Sequence, residues 1–254
     1  MILLVSAFLL EALPLIRHFS LKKRAQKPFP LYQNGKIALV ISGMGKEHMI
    51  SSLSYLVGRF PAFSHLSNIG YAGHGQARLG TLYLAGKLEQ KNAPPFYPHL
   101  RKEWGHIAAS TLVSVETPEI TFSQEALYDM EGYAFFQTAL RFTSLENISV
   151  WKVVSDGPND PFKKSSALME KAAPHLIICL EEMGQNHRSD FLQENSSLPP
   201  HIHFTATEKI QAKKSLLYAK ELGIDTAPFF KTTSSHAFLK KVQQAIQASA
   251  PTYA

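Results

Sequence analysis

Short apolar runs alternate with segments of helical spacing over the first two thirds of the chain. The opening run, Met1–Ala7, is apolar throughout, which is typical of a strand covered on both faces of a sheet. Further strand-like runs are Leu66–Tyr71, Leu79–Ala85, Ile107–Ser110, Leu112–Glu116 and Ile148–Val154. Helices are predicted over Leu9–His18, His48–Val57 and Asp129–Phe142. This alternation predicts an α/β fold with an open sheet flanked by helices.

A β-hairpin is predicted near residue 35. Two short runs, Phe29–Gln33 and Lys36–Ser42, are joined by Asn34-Gly35, and both joining residues tolerate the positive φ that tight hairpin turns require. The stretch Lys22–Lys27 before them is predicted to be a polar connection.

The pattern changes after residue 160. Ser166–Gly184 has helical spacing interrupted by Pro174, which is expected to kink or restart the helix. The polar, proline-containing stretch Arg188–Pro200 is predicted to be a loop. We therefore predict one α/β domain over residues 1–187, with residues 188–254 as a helical extension packed on the same domain.

Helix signals also mark the end of the chain. Thr205–Glu208 matches a capping box, and Gly223 is a plausible stop for the helix that it starts. Ser235 is expected to cap a last helix, His236–Ala248. None of these helices carries a recognisable chemical motif.

Composition places the chain among globular proteins. Of its 254 residues 45% are hydrophobic and 18% charged, which excludes intrinsic disorder. A mean hydropathy of −0.09 excludes a polytopic membrane protein. The apolar start resembles a signal peptide, but no basic region precedes it and Glu11 interrupts it. A buried strand leading into a helix is the better interpretation, and a cleaved signal is the alternative.

The net charge of +6 is concentrated near the start of the chain. Six basic residues meet only one acid in the first forty positions: Arg17, Lys22, Lys23, Arg24, Lys27 and Lys36. A basic surface can serve nucleic acid, but no nucleic-acid motif follows, so a solvated face is predicted.

The single cysteine limits the chemistry that the chain can support. Because Cys179 is the single cysteine, an intramolecular disulfide is impossible and a structural zinc site based on cysteine is nearly so. Cys179 lies in the apolar run Leu176–Leu180, so we predict a small buried hydrophobic residue. This cysteine usage is consistent with a reducing compartment.

Candidate chemistry collects at the ends of predicted strands. Ser42–Lys46, a glycine turn between a strand and a helix, is a ligand-cradling arrangement without P-loop spacing. Ala72–Gly75 is a second strand end of small residues. Three acids, Glu11, Glu131 and Asp156, adjoin strand ends or turns. Ligands of open α/β sheets bind at this edge, so these residues form a candidate site.

Five segments carry a resemblance to a known family. In chain order they are Ser6–Glu11, Ser42–Lys46, Asn68–Gly73, Tyr128–Gly132 and Val154–Gly157. Together they resemble the nucleoside phosphorylase and 5′-methylthioadenosine/S-adenosylhomocysteine nucleosidase superfamily, from Met1 to about Gly184. The resemblance implies a nucleoside phosphorylase-like fold, in which a central mixed β-sheet is flanked by helices. It also implies cleavage of a purine nucleoside at its N-glycosidic bond.

The resemblance also implies a role for each acid. Asp156 would act as the acid toward purine N7, and Glu131 would accept hydrogen bonds from the ribose hydroxyls. Glu11 would position the attacking water. Further substrate-binding positions implied by the family are Met130, Tyr71, Ala72, Gly73 and Ser155.

The nucleophile is water or phosphate. The superfamily's phosphorylases hold phosphate with arginines near the first turn and after the second glycine segment. Here Arg17 comes a helical stretch after the first turn, and Arg78 lies beyond Gly73. Glu11 would repel phosphate. Hydrolysis of a 5′-substituted adenosine (methylthioadenosine, S-adenosylhomocysteine or 5′-deoxyadenosine) is therefore favoured, with phosphorolysis as the alternative.

A third hypothesis is a nucleoside-binding protein without catalysis. Tyr71 stands where the nucleosidases usually have a small hydroxyl residue, and Thr81 stands where they usually have Asp. The segment Ser114–Pro118 lacks the aromatic residue that usually stacks on the base. These departures leave room for a member that has kept the fold and lost the reaction.

No cofactor or metal is expected. His48, His65, His74 and His106 lack zinc-ligand spacing, and only His74 lies beside the presumed pocket. The resemblance implies a homodimer located in the cytoplasm. Each subunit is expected to bind a small purine nucleoside, together with phosphate if the chain is a phosphorylase. A membrane or nucleic-acid partner is not expected.

Overall fold

The computed structural model describes residues 1–163, 165–193, 198–205, 208, 209, 212, 215, 216, 219 and 224–249. The chain forms two compact units, Met1–Arg188 and Ser189–Ala254. This division falls next to the boundary predicted from the sequence. Packing of the second unit on the first stays a prediction.

The first unit contains nine strands and most of the described helical residues. The strands are β1 (Ile2–Ser6), β2 (Lys22–Ala25), β3 (Leu31–Gln33), β4 (Ile37–Ile41), β5 (His65–His74), β6 (Leu82–Gln90), β7 (Ala108–Ser114), β8 (Leu127–Asp129) and β9 (Ile148–Asp156). Its helices are α1 (Leu9–His18), α2 (Lys46–Arg59), α3 (Gly132–Ala139) and the first part of α4 (Ala167–Gln193), whose residues after Arg188 belong to the second unit.

The nine strands form one mixed sheet in the order β2-β3-β4-β1-β5-β8-β7-β6-β9. The predicted central mixed β-sheet is therefore confirmed. The sheet is not the open one that the alternating pattern suggested, because β5 also pairs with β9 in parallel from Leu66↔Ile148 to Gly73↔Asp156. This extra pairing closes β5, β8, β7, β6 and β9 into a ring.

Helices cover both faces of β1. Leu3 and Val5 pack in a core with residues of α2 and α3, whereas Ile2 and Leu4 pack in another with residues of α1 and α4. Alternate side chains of one strand thus enter two cores, which explains why its sequence is apolar throughout. Burial in the sheet agrees with the interpretation of the opening run as a strand.

The hairpin prediction is confirmed. β3 and β4 pair antiparallel from Leu31↔Val40 to Gln33↔Ala38. The side chain of Asn34 holds the turn, since its Oδ1 accepts hydrogen bonds from the backbone N–H groups of Lys36 and Ile37, both at 2.8 Å. The predicted connection Lys22–Lys27 is wrong, because β2 occupies part of it as an exposed edge strand.

Other boundaries differ from the predictions in ways that have physical reasons. The two predicted strands around Ser110 are one strand, β7. Asp129, predicted to start a helix, instead ends β8, and the helix runs from Gly132 to Ala139. Helix α4 continues through Pro174 and on to Gln193, so the loop predicted from Arg188 is wrong over its first residues. Packing of Leu176 and Leu180 in the core outweighs the local cost of the proline.

The second unit has its own apolar cluster around Phe204 and Phe238. Thr205 and Glu208 form the predicted capping box, with the Thr205 N–H donating to Glu208 Oε2 at 2.8 Å. The last helix, α5 (Ser235–Ser249), begins one residue earlier than predicted, and its cap is the Oγ of Ser234 rather than of Ser235. The predicted stop at Gly223 lies outside the described residues.

Two further sequence predictions concern burial. Cys179 is fully buried in an apolar core, as predicted, and burial raises the pKa of its thiol to about 12. Lys22, Lys23 and Arg24 on β2 are exposed, which agrees with a solvated face.

None of the described helices combines the length and apolarity that a bilayer-spanning segment needs.

Candidate active site

A cavity of about 350 Å³ lies where several strands end, and we call it the main cavity. Its wall includes residues that follow or end β1, β4, β5, β8 and β9. The size is within the range of small-molecule sites. All the predicted site residues line it: Glu11, Tyr71, Ala72, Gly73, Met130, Glu131, Ser155 and Asp156.

Glu11 is buried at the start of α1, directly after β1. Its Oε2 accepts hydrogen bonds from the Phe8 N–H and the Ser6 hydroxyl, both at 2.8 Å, and its Oε1 accepts one from the Tyr71 N–H at 2.8 Å. Burial nevertheless raises the pKa of the Glu11 carboxyl. A β-carbon at Gly70 would lie 3.2 Å from Oε1, so a small residue on β5 leaves space for this side chain.

Glu131 is buried between β8 and α3. Its Oε1 accepts a hydrogen bond of 2.6 Å from the N–H of Gly45, in the turn after β4. Burial and the negative charge of Asp129 raise the pKa of Glu131 to about 7, although the Lys152 ammonium opposes the shift. The protonated form of this carboxyl is therefore favoured well above the pH at which an ordinary glutamate ionises.

A buried ion pair that the sequence analysis missed supports the acids. Lys152 on β9 is fully buried, and its Nζ lies 2.7 Å from Asp129 Oδ2. Asp129 also accepts hydrogen bonds from the Ser114 hydroxyl at 2.5 Å and the Gly132 N–H at 2.7 Å. Nearby carboxylates raise the pKa of Lys152 against the effect of burial. A lysine inside the apolar run Ile148–Val154 was the available signal.

Asp156 ends β9 and is half-buried. The Ser155 hydroxyl donates a hydrogen bond to its Oδ1, and burial raises the pKa of the Asp156 carboxyl. A β-carbon at Gly73 would lie 2.7 Å from Asp156 Oδ2 and 2.6 Å from Cε1 of the Phe122 ring. Glycine at this position therefore allows both groups to approach the strand.

Phe122 supplies an aromatic ring that the sequence analysis did not find. It lies beside Asp156 over Gly73 and stands edge to face against Tyr128, with ring centroids 5.7 Å apart. Its backbone has a positive φ of 47°. Glu119 Oε1 holds this turn by accepting hydrogen bonds from the N–H groups of Thr121 at 2.6 Å and Phe122 at 3.1 Å.

Tyr71 forms part of the wall without filling the main cavity. Its hydroxyl donates a hydrogen bond of 2.7 Å to the Ser165 carbonyl and accepts one of 3.1 Å from the Met169 N–H. The ring is thus tied to the start of α4. Phe162 stands edge to face against it at 6.0 Å.

The two arginines considered for phosphate binding do not line the main cavity. Arg17 pairs with Glu170 at 3.2 Å on the surface, and Arg78 is exposed. Among the described residues that line this cavity, acids are present and no lysine or arginine is. Its wall therefore favours an uncharged ligand or one with hydrogen-bond donors.

The four histidines of interest are dispersed. His48 and His106 are exposed, and the ring of His65 is buried with Nε2 3.0 Å from the Ser149 hydroxyl. His74 ends β5, outside the main cavity. Among the described residues no group of three or more His, Cys, Asp or Glu side chains is arranged to hold a metal ion.

No protein-family model matches the sequence, and no curated protein matches it. Solved structures do match. A 5′-methylthioadenosine/S-adenosylhomocysteine nucleosidase from Colwellia psychrerythraea, in complex with adenine, is similar with a TM-score of 0.60 and 17% identity. The match covers 72% of this chain and 95% of that one.

Two further structures extend the comparison. The 5′-methylthioadenosine nucleosidase of Arabidopsis thaliana has a TM-score of 0.61 at 14% identity, covering 72% of this chain and 96% of its own. The futalosine hydrolase of Helicobacter pylori has a TM-score of 0.58 at 14% identity, covering 71% and 97%. At these identities the likeness establishes the fold, and the nucleoside phosphorylase-like fold implied by the sequence is confirmed.

Proposed function

We propose that this chain hydrolyses the N-glycosidic bond of a purine nucleoside in the main cavity. The observation that carries the proposal is the convergence of Glu11, Glu131 and Asp156 on one cavity of about 350 Å³ in a nucleosidase fold. These acids come from distant parts of the chain. Each stands in an environment suited to a different step.

Asp156 is proposed as the acid toward the base. Its raised pKa favours the protonated form that this role needs, and transfer of the proton to purine N7 would make the base a better leaving group. The Ser155 hydroxyl fixes Oδ1, which leaves Oδ2 beside Gly73 to meet the ring nitrogen. Phe122 offers a ring face next to the same position, so the base would stack there.

Glu131 is proposed to bind the ribose. The Gly45 N–H occupies its Oε1, while Oε2 has no hydrogen-bond partner among the described residues. A carboxylate oxygen accepts hydrogen bonds from neighbouring hydroxyls, which suits the 2′- and 3′-hydroxyls of ribose. Met130, also on the cavity wall, would pack against the sugar with its flexible thioether.

Glu11 is proposed to position the attacking water. Three donors fix the orientation of its carboxylate, which lines the main cavity. A carboxylate has about four acceptor sites, so about one is left for a water. A water that donates to Glu11 presents its oxygen lone pair to the sugar carbon. As the new C–O bond forms, Glu11 accepts the proton that the water loses. The C–N bond breaks with its electron pair moving to the base, which receives a proton from Asp156.

Electrostatics favour water over phosphate as the nucleophile. Phosphate carries negative charge, and proteins usually neutralise it with arginine. The described wall of the main cavity has no such cation, and Arg17 is engaged by Glu170 elsewhere. Phosphorolysis by the same fold is the alternative.

The finer assignments complete the proposal. The substrate is proposed to be a 5′-substituted adenosine, because two of the similar solved structures are named as nucleosidases of methylthioadenosine or S-adenosylhomocysteine. We propose that the protein works in the cytoplasm as a homodimer, as the resemblance implies. A non-catalytic role is disfavoured because Tyr71 leaves the main cavity open and Phe122 provides a ring.

The direct test is release of the base from methylthioadenosine, S-adenosylhomocysteine, 5′-deoxyadenosine and inosine, with and without phosphate. We expect release from an adenosine derivative at equal rates in both conditions. Strict dependence on phosphate would favour the phosphorylase. Nucleoside binding without turnover would favour the non-catalytic protein.

The Asp156→Asn variant serves as the matched control for that test. Because it removes only the acid, we expect turnover to fall by about 10²–10⁴-fold while the unfolding transition changes little. Near-normal turnover by this variant would remove Asp156 from the mechanism.

A further inference from the structure

A separate cavity of about 480 Å³ lies beside the main cavity, and we call it the side cavity. Its wall is formed by the end of β5, the start of β6, the middle of β7 and Glu125. It shares no lining residue with the main cavity. Nothing in the proposed hydrolysis uses it.

Polar side chains without a hydrogen-bond partner among the described residues line the side cavity, and Gln76 and Glu125 are exposed. The side chains of Gln76, Tyr83, Thr111 and Glu125 have no hydrogen-bond partner among the described residues, although all of them line the wall. Polar groups that converge on a concave surface without pairing with one another are available to a ligand. The wall thus offers hydroxyl, amide and carboxylate groups together.

His74 on the wall of the side cavity has a defined protonation state. It is 94% buried, and its Nδ1 accepts hydrogen bonds from the backbone N–H groups of Gln76 and Ala77, both at 3.0 Å. Burial lowers the pKa of the ring, so the neutral form is favoured. With Nδ1 as acceptor, the proton must reside on Nε2, which has no partner among the described residues.

This protonation state excludes several ligand classes. A metal ion would need the lone pair of Nε2, which the proton occupies. An anion would meet Glu125 without any lysine or arginine among the described lining residues. An apolar molecule would bury the polar groups without satisfying them.

Hydroxyl groups remain as the chemistry that fits. A hydroxyl oxygen accepts from His74 Nε2–H while its hydrogen donates to a carboxylate such as Glu125. The His74 and Tyr83 rings are parallel within 7°, with centroids 6.0 Å apart, and add apolar surface for a carbon skeleton. We propose that the side cavity binds a small, uncharged, hydroxyl-rich molecule of monosaccharide size.

The test is calorimetric titration of the full chain with D-ribose as the probe. We expect saturable binding that weakens by about tenfold in Glu125→Gln and by about fivefold in Thr111→Val, because each variant removes a hydrogen-bonding partner. Thr143→Val, away from the side cavity, serves as the matched control and is expected to bind like the unaltered protein. Circular dichroism confirms that each variant is folded.

Ribose could instead enter the main cavity, so a further variant separates the two sites. Glu131→Gln alters the main cavity, where we propose that Glu131 binds ribose. It should remove any ribose binding in the main cavity and leave the binding that Glu125→Gln weakens. Loss of binding in Glu131→Gln with no effect of Glu125→Gln would overturn the proposal. Saturable binding of zinc or inorganic phosphate that depends on Glu125 would also overturn it.

Discussion

At Glu131, burial and the charge of Asp129 raise the pKa to about 7 against the attraction of Lys152. Three buried carboxyls, those of Glu11, Asp129 and Glu131, interact with one buried ammonium. Full ionisation of all three would leave uncompensated negative charge in a region of low dielectric. Protonation of one carboxyl relieves this excess negative charge. Glu131, whose pKa is raised to about 7, is the carboxyl that we expect to hold the proton.

Replacing Glu131 with Gln should mainly weaken substrate binding. An amide is a poorer acceptor than a carboxylate for ribose hydroxyls, and hydrogen bonds to charged groups contribute about 1.5–3 kcal/mol. We expect KM for the nucleoside to rise by about tenfold or more, with a smaller change in kcat. Steady-state kinetics check this, and unchanged values of both constants would contradict the role.

Phe122 is expected to contribute to recognition of the base. Phe122→Leu keeps an apolar side chain but removes the ring face, so we expect KM to rise by about fivefold. Phe142→Leu is the control, because Phe142 is an exposed phenylalanine that does not line the main cavity. Equal KM values in the two variants would show that the ring is not used.

At the scale of elements, the ends of the strands determine which side chains meet. β8 delivers Asp129, β9 delivers Lys152 and Asp156, and β5 lies between them in the ring. The Asp129–Lys152 ion pair therefore joins strands that are not direct neighbours. Because burying two charges has a large desolvation cost, we expect this ion pair to orient the Asp129 and Lys152 side chains at least as much as it stabilises the fold.

Removing Lys152 should be strongly destabilising. Lys152→Met leaves Asp129 and Glu131 buried without their cation, and breaking one side of a buried pair costs about 3–5 kcal/mol. Lys87→Met is the control, because the Lys87–Glu89 pair lies near the surface and should contribute less than about 1 kcal/mol. Urea unfolding measures the free energy of unfolding of both variants. An equal decrease in the two variants would contradict the effect assigned to burial of Lys152.

Local patterns predicted those elements that are determined by nearby residues. Helix α1 has the predicted bounds, and the Asn34-Gly35 turn joins β3 to β4 as expected. Edge strand β2 was missed because its exposed, charged residues lack an apolar face. The continuation of α4 beyond Pro174 depends on core packing, which a local rule for proline does not include.

At the scale of the whole molecule, the raised carboxyl pKa values affect stability. The folded protein holds the Glu131 proton up to about pH 7, whereas the unfolded chain releases it near the ordinary pKa of 4.5. Between these values the folded state binds more protons. The contribution of Glu131 to the free energy of unfolding is therefore present at low pH and lost as pH rises through this window.

Glu131→Gln should reduce this pH dependence, since glutamine does not ionise. We expect the free energy of unfolding to fall less in the variant than in the unaltered protein between about pH 5 and about pH 8. Urea unfolding at both pH values measures the difference, with exposed Glu103→Gln as the control. If the free energy of unfolding changed equally with pH in all three proteins, the assigned effect of Glu131 on stability would be contradicted.

The sequence by itself determined the α/β class, the buried first strand, the hairpin and the positions of the three acids. These features depend on apolar periodicity, turn chemistry and residue type, which are local properties. Only the tertiary structure decided the closure of the ring by β5 and β9, the Asp129–Lys152 ion pair, and the arrival of Phe122 over Gly73. Each of these brings together residues far apart in the chain or held by a specific turn, and such contacts are fixed by packing and electrostatics throughout the fold.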